Sequence, residues 1–135
     1  MSEQLIFDTS VWIDFLRGRN TPQVSLLDNY IGNNHPVVLT PTILQETLQG
    51  IREDDQYSHI KELLNYFTML QLPPVQAAIG AAELYRSLRK KGVTIRKSND
   101  CMIAYYAIVA AIPLVHTDQD FELISRHSGL RLWNK

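Results

Sequence analysis

A single cysteine stands among the 135 residues, so a disulfide framework and any cysteine-rich zinc site are excluded. That residue, Cys101, sits in an apolar stretch where it packs as a small inert side chain, and its isolation makes a reducing compartment, the cytoplasm, the expected location. Charge of one sign is lacking as well. The 13 Lys+Arg and 14 Asp+Glu leave a net charge of -1, which excludes a protein that coats nucleic acid through global positive charge. Any nucleic-acid contact must come from a local patch. No apolar run is long enough for a bilayer: the uncharged, strongly apolar stretch Cys101 to Val115 falls short of the ~20 residues required and contains Pro113. It reads as a buried helix followed by a strand, and no membrane partner is expected. Met1-Ser2-Glu3-Gln4 has neither the basic nor the apolar segment of an export signal, so an exported chain is not expected. His35, His59, His116 and His127 are scattered, with no H-x-x-x-H spacing for zinc.

What is present, 45% hydrophobic and 20% charged residues, suits one domain over residues 1–135 that buries roughly two-thirds of its unfolded surface. Leu5-Ile6-Phe7 is a short continuous apolar run closed by Asp8-Thr9-Ser10, the pattern of a strand buried on both faces and followed by a helix. Val37–Leu39, Met69–Leu72, Pro113–His116 and Leu130–Trp133 read as further strands. Helices are predicted from Ser10 to Gly18, from Thr21-Pro22 to Gly32, from Thr40-Pro41 past Leu48, over Ile60–Phe67, from Pro74 to Lys91, from a Ser98-Asn99-Asp100 cap to about Ala111, and from Asp118 to about Arg126. Arg52 to Asp55 reads as a solvated loop. Strands alternating with helices predict an α/β fold: a parallel sheet of about five strands with helices on both faces and a ligand site at the C-terminal edge of the strands.

Four acidic residues follow strands or open helices and so fall on that edge: Asp8, Glu46, Asp100 and Asp118. At ~100° per residue Glu46 borders the apolar stripe of its helix, and Asp100 shares a face with Ala104, Ala107 and Ala111, small residues that let the helix lie close to the sheet. Taken singly, Asp8, Asp100 and Asp118 are explained as helix caps. Taken together, converging carboxylates without basic partners repel one another unless a cation sits among them, and a hard cation, Mg2+ or Mn2+, meets that need. Such a metal suits phosphodiester hydrolysis, with Ser10 and Thr117 placed to position water or the scissile phosphate.

These segments resemble a known family. Leu5 to Gly18, with its Asp8-Thr9-Ser10, is similar to the opening of PIN-domain ribonucleases, in particular the VapC-like toxins of toxin-antitoxin pairs. Pro41 to Gly50 resembles the segment carrying the family's second acid, here Glu46. Gly92 to Asp100, followed by Ile103-Ala104, resembles the third, and Leu114 to Phe121 the last, where Asp118 matches the fourth acid and Asp120 is a substitute for it. The resemblance covers nearly the whole chain. It implies a metal-dependent endoribonuclease acting on structured RNA such as tRNA or ribosomal RNA loops, an antitoxin partner that blocks the site, and a homodimer.

Arg86, Arg89, Lys90, Lys91, Arg96 and Lys97 form the one basic strip, directly before Asp100. They suit a helix C-terminus, and Arg89, Lys90, Lys91, Arg96 and Lys97 also suit an RNA phosphate track. His116 lies where it could touch substrate. Trp12 and Tyr30 read as core or dimer contacts. Two other classes fit in part: a haloacid-dehalogenase-like phosphatase, which wants an acid where Ser10 stands, and a catalytically idle RNA- or protein-binding module.

Overall fold

The computed structural model describes residues 2–134. Three apolar residues, Leu5–Phe7, form β1, and all are buried because helices cover both faces of the sheet. Asp8 caps α1 (Thr9–Leu16), Thr21 caps α2 (Pro22–Gly32) and Thr40 caps α3 (Pro41–Gln49), each side chain accepting an N–H of the first turn. In α2 and α3 a proline takes the first helical position, where its missing N–H costs nothing. Gly18 stands just beyond α1 with φ 71°, a left-handed value that a residue with a Cβ adopts at a cost. The chain continues through β2 (Val37–Leu39, before α3), α4 (Asp54–Asn65), β3 (Thr68–Met69), α5 (Pro74–Lys90), α6 (Ser98–Ala110), β4 (Leu114–Val115) and α7 (Gln119–Arg126).

The sheet is parallel with strand order β3-β2-β1-β4. From β1 the chain steps to β2 and on to β3, then returns across the sheet to pair β4 with the free side of β1. Right-handed crossovers carry the outgoing helices over one face and the returning pair α5 and α6 over the other. The direction of winding reverses between β1 and β4, so the switch point lies where Asp8 and His116 leave the sheet.

Four expectations are corrected. The sheet has four strands among the described residues, because Leu130–Trp133 makes only an isolated parallel bridge, Leu114 to Leu132, flanked by Leu114 N–H to Arg131 O and Trp133 N–H to Leu114 O, both at 2.9 Å. Asp54 and Asp55 belong to the first turn of α4 rather than to a loop, where their charge suits the helix N-terminus. Ser98-Asn99-Asp100 does not cap α6: all three lie inside its first turn, and the cap position falls to Lys97, whose side chain makes no capping bond. The third strand also begins earlier than Met69 and ends there, with Leu70 N–H still donating to Leu39 O at 2.8 Å.

Candidate metal centre

Asp8 leaves β1 at the switch point, 4% exposed, with its amide donating to Val115 O at 2.9 Å and so tied to β4. Its Oδ2 accepts the Ser10 amide at 3.0 Å and the Ser10 hydroxyl at 2.6 Å. The same hydroxyl oxygen accepts the Thr117 amide at 3.3 Å, so Ser10 links the loops after β1 and β4. Burial pushes the Asp8 carboxyl above its ordinary value; the Ser10 hydroxyl and the Ser10 and Thr9 amides oppose this, and the neighbouring Glu46 adds to it.

Asp100 opens α6 and points inward with Ala104 and Ala107, which are also buried. Because Lys97 occupies the cap position, the Asp100 carboxylate is not spent on the helix end, and its Oδ2 is buried without a hydrogen-bond partner. Burial, with Asp8, Asp118 and Asp120 adding like charge against the opposing pull of Lys97, pushes its pKa up to about 7.

Asp118 caps α7, its Oδ1 accepting the Asp120 amide at 3.0 Å. Burial works against its ionisation, but the Asp120 amide and the charges of Lys97 and Arg96 outweigh that and hold its carboxyl below the ordinary carboxylate range. Asp120 is 4% exposed and its Oδ2 is likewise buried without a hydrogen bond. Arg96 Nε approaches that oxygen at 3.5 Å, a long ion pair. One oxygen each from Asp100, Asp118 and Asp120 lies within 4.8 Å of the others. Asp120, set down in the sequence as a stand-in for Asp118, therefore joins it in one cluster.

Glu46, on α3, is fixed from two sides: its Oε1 accepts the Thr9 hydroxyl at 2.6 Å and its Oε2 the Asn99 side-chain amide at 3.1 Å. Thr9 and Asn99 are the residues that sequence reasoning passed over. Both stand next to an acid of the site, at positions read only as caps.

The basic strip divides. Lys97 Nζ lies 3.1 Å from Asp118 Oδ2, and Arg96 reaches Asp118 at 4.0 Å as well as Asp120. The expectation of carboxylates without basic partners is thus corrected: two cations partly neutralise the cluster, and the Asp118 carboxylate raises the Lys97 pKa in return. Arg89 stacks over Tyr85 at 5.7 Å, Lys90 ends α5 in solvent, and Lys91 donates to His127 O at 3.1 Å. His116 is held by Asp118 N–H and Glu122. Trp12 and Tyr30 are core residues, and Cys101 is buried with its thiol pushed up to about 11, chiefly by burial.

Even with Arg96 and Lys97 in place, two buried carboxylate oxygens without hydrogen bonds lie beside one another's acids, and an all-oxygen donor set of this kind fits a hard divalent cation.

Fold and site together define an α/β protein with an acidic centre at the switch point of a parallel sheet. The chain belongs to the PIN domain family, whose model matches residues 5–126. Two mycobacterial proteins, VapC ribonuclease Mb1587 of Mycobacterium bovis and ribonuclease VapC11 of Mycobacterium tuberculosis, are each 28% identical over 128 residues, which is 94% of this chain and 96% of theirs. Among solved structures, VapBC-1 of nontypeable Haemophilus influenzae is similar with a TM-score of 0.73 at 19% identity over 97% of both chains. DNA-bound VapBC of Salmonella typhimurium is similar with a TM-score of 0.73 at 18% identity over 98% of both. At these identities the solved structures speak for the fold.

Proposed function

We propose that this chain is an endoribonuclease toxin dependent on Mg2+ or Mn2+, neutralised by a cognate VapB-like antitoxin, with Asp8, Glu46, Asp100, Asp118 and Asp120 forming its acidic centre. The observation that carries the reading is the pair of buried, hydrogen-bond-free oxygens on Asp100 and Asp120 in a cluster at the sheet's switch point. Relatives named as ribonucleases support it. Asp100, Asp118 and Asp120 would hold the cation, with Asp8 beside them. When bound, a hard divalent cation supplies positive charge for phosphoryl oxygens and lowers the pKa of a water.

The chain's own residues do the positioning. Ser10 locks Asp8 and the Thr117 loop together, and Thr9 and Asn99 hold Glu46 with both oxygens engaged. Arg96 and Lys97, paired with Asp118 and Asp120, stand at the rim where an incoming phosphate offers them a competing anion. Arg89, Lys90 and Lys91 extend that rim as a phosphate track that carries no sequence choice. Substrates are structured RNAs, tRNA or ribosomal RNA loops among them, the working form is a homodimer, and the protein acts in the cytoplasm.

The test is cleavage of a mixed RNA preparation by the purified chain with Mn2+ and with excess EDTA, alongside Asp8→Asn. Cleavage that needs Mn2+ and vanishes in the variant is the expected result. Cleavage undiminished in EDTA overturns the metal-dependent reading, and no cleavage with Mn2+, nor with Mg2+ in its place, leaves an idle binding module.

A further inference from the structure

A second cavity, of about 370 Å3, adjoins the acidic centre and shares Asp118 with it. Its walls come from separate parts of the fold: Gln23 in the first turn of α2, His116 after β4, Gln119 and Glu122 on α7, and Trp133 in the segment beside β4. None of the assignments above uses it.

Four observations define what it takes. Among the described residues no lysine or arginine lines it, while Asp118 and Glu122 do, so a phosphate is disfavoured and an uncharged polar ring is not. Its wall is prearranged: the Asp118 amide donates to His116 Nδ1 at 3.0 Å, which places the neutral ring's proton on Nε2, 3.1 Å from Glu122 Oε2, and the ring packs against Phe121 at 5.5 Å. Trp133, half-buried and anchored through its amide to Leu114 O, brings an aromatic face, and Gln23 and Gln119 bring side-chain amides with both donors and acceptors. The volume sits at the small end of ligand pockets, ~300–1,000 Å3, a size for one heteroaromatic group rather than an oligomer.

We infer that this cavity is a nucleobase subsite, in which a base of the RNA strand stacks on Trp133 and is hydrogen-bonded by Gln23 and Gln119 while its neighbouring phosphate lies at the acidic centre. The inference rests on the hydrolytic reading for the identity of the strand, and on the cavity's own chemistry for the base. Stacking supplies affinity for any base, and the two amides supply choice among bases.

The experiment is a tryptophan-fluorescence titration of the full chain in Mg2+ with ribonucleoside 5′-monophosphates, with ribose 5-phosphate, and with a short single-stranded RNA. Trp12 is fully buried and is the one other tryptophan in the sequence, so quenching reports Trp133. Nucleotides are expected to quench and ribose 5-phosphate not to, Trp133→Leu to abolish the quenching, and Gln23→Ala, at a half-buried position, to weaken nucleotide binding ~5-fold or more. The RNA should bind more tightly than any mononucleotide, since its phosphates reach the basic rim. Absence of nucleotide quenching in the wild type, equal quenching by ribose 5-phosphate, or unchanged affinity in Gln23→Ala overturns the subsite. Equal affinity for RNA and mononucleotide overturns its assignment to a substrate strand. Failure to cut RNA with quenching intact sinks the hydrolytic reading instead, so the two failures are distinguishable.

Discussion

Replacing Asp100 by Asn keeps the shape of the side chain and removes its ability to ionise, at the one acid of the centre that burial and three neighbouring carboxylates push up to about 7 from an ordinary 3.8. A carboxyl raised in this way keeps, in the folded chain, a proton that the unfolded chain has already released. The stability it confers is complete below the ordinary value and is lost as pH climbs through about 7. The slope has a ceiling of ~1.4 kcal/mol per pH unit. Lys97 and water at the rim reduce it, so the metal-free wild type should lose ~1–2 kcal/mol relative to Asp100→Asn between about pH 5 and about pH 7. For a domain of this size that is roughly 4–8 °C in melting temperature. Asp118, whose pKa is lowered, acts in the opposite sense only at acid pH: its contribution is present above 3.8 and lost below it, outside this window.

Melting curves in EDTA across that pH range, for wild type and Asp100→Asn, make the measurement. The variant should be the more stable protein near neutral pH, because it no longer faces Asp8, Asp118 and Asp120 with a charge. Saturating Mn2+ should reverse the order, since the wild type gains RT ln(1 + [L]/Kd), ~2.7 kcal/mol at a hundredfold excess, and the variant far less. With Mn2+ present the wild type should also become more stable as pH rises, because proton and metal compete for one carboxylate. Parallel pH profiles for the two proteins in EDTA would refute the claim that Asp100 is held protonated by its neighbours, and a variant stabilised by Mn2+ as strongly as the wild type would remove it from the metal site.

Asp8→Asn and Asp118→Asn should each lower the rate of RNA cleavage by ~100-fold or more, the size of loss seen when a key electrostatic group is removed, and rates within a few-fold of wild type would place these acids outside the chemistry. Asn99→Ala and Thr9→Val free one oxygen of Glu46 each, so both should slow cleavage by up to ~100-fold through misplacement while leaving the melting temperature in EDTA little changed. Lys90→Gln with Lys91→Gln should weaken binding to every RNA alike and flatten the salt dependence by ~0.7 per charge removed; an altered choice of RNA at constant salt slope would make the strip a sequence reader. Gly80→Ala sets a methyl group into the Tyr105 ring where α5 packs on α6, so it should cost ~1–3 kcal/mol by denaturant unfolding, and a neutral result would mean that Tyr105 swings clear.

Much of the scaffold was readable because each signal was local. Leu5–Phe7 announces a doubly covered strand by being apolar without alternation, and Thr21-Pro22 and Thr40-Pro41 announce helix starts by pairing a cap with the residue that tolerates the first turn. Ser98-Asn99-Asp100 misled for the same reason: composition marks a helix start, but which residue takes the extended cap backbone is set by the preceding loop, here at Lys97. Leu130–Trp133 has a strand's composition, yet whether an edge segment forms a ladder depends on how far its register follows β4, and it follows for one bridge. Four acids at one edge could be expected from the alternation of strands and helices alone, since every strand of a parallel sheet ends, and the helices that follow begin, on the same side. Their hydrogen bonds were not, because the partners of Glu46 lie 37 and 53 residues away in sequence.

The basic strip shows where charge reading stops. Six cations before Asp100 allow two local explanations, a helix C-terminus and a phosphate track, and sequence gives the number of charges without the anions they meet. In the fold the strip separates by backbone: Arg89 and Lys90 stay on the last turn of α5, whereas Arg96 and Lys97, beyond Gly92 with its φ of 82°, come round to the carboxylates of α7. Their side chains remain 73% and 62% exposed although Asp120 is buried and Asp118 half-buried. A cation so exposed gains little from its ion pair, on the order of 1 kcal/mol or less, and is free to exchange partners at small cost. Asp120, with an oxygen buried and no hydrogen bond, cannot exchange partners in the same way, so under the proposed function a cation entering the centre would be held by the acids, leaving the two exposed basic side chains free to pair with a phosphate.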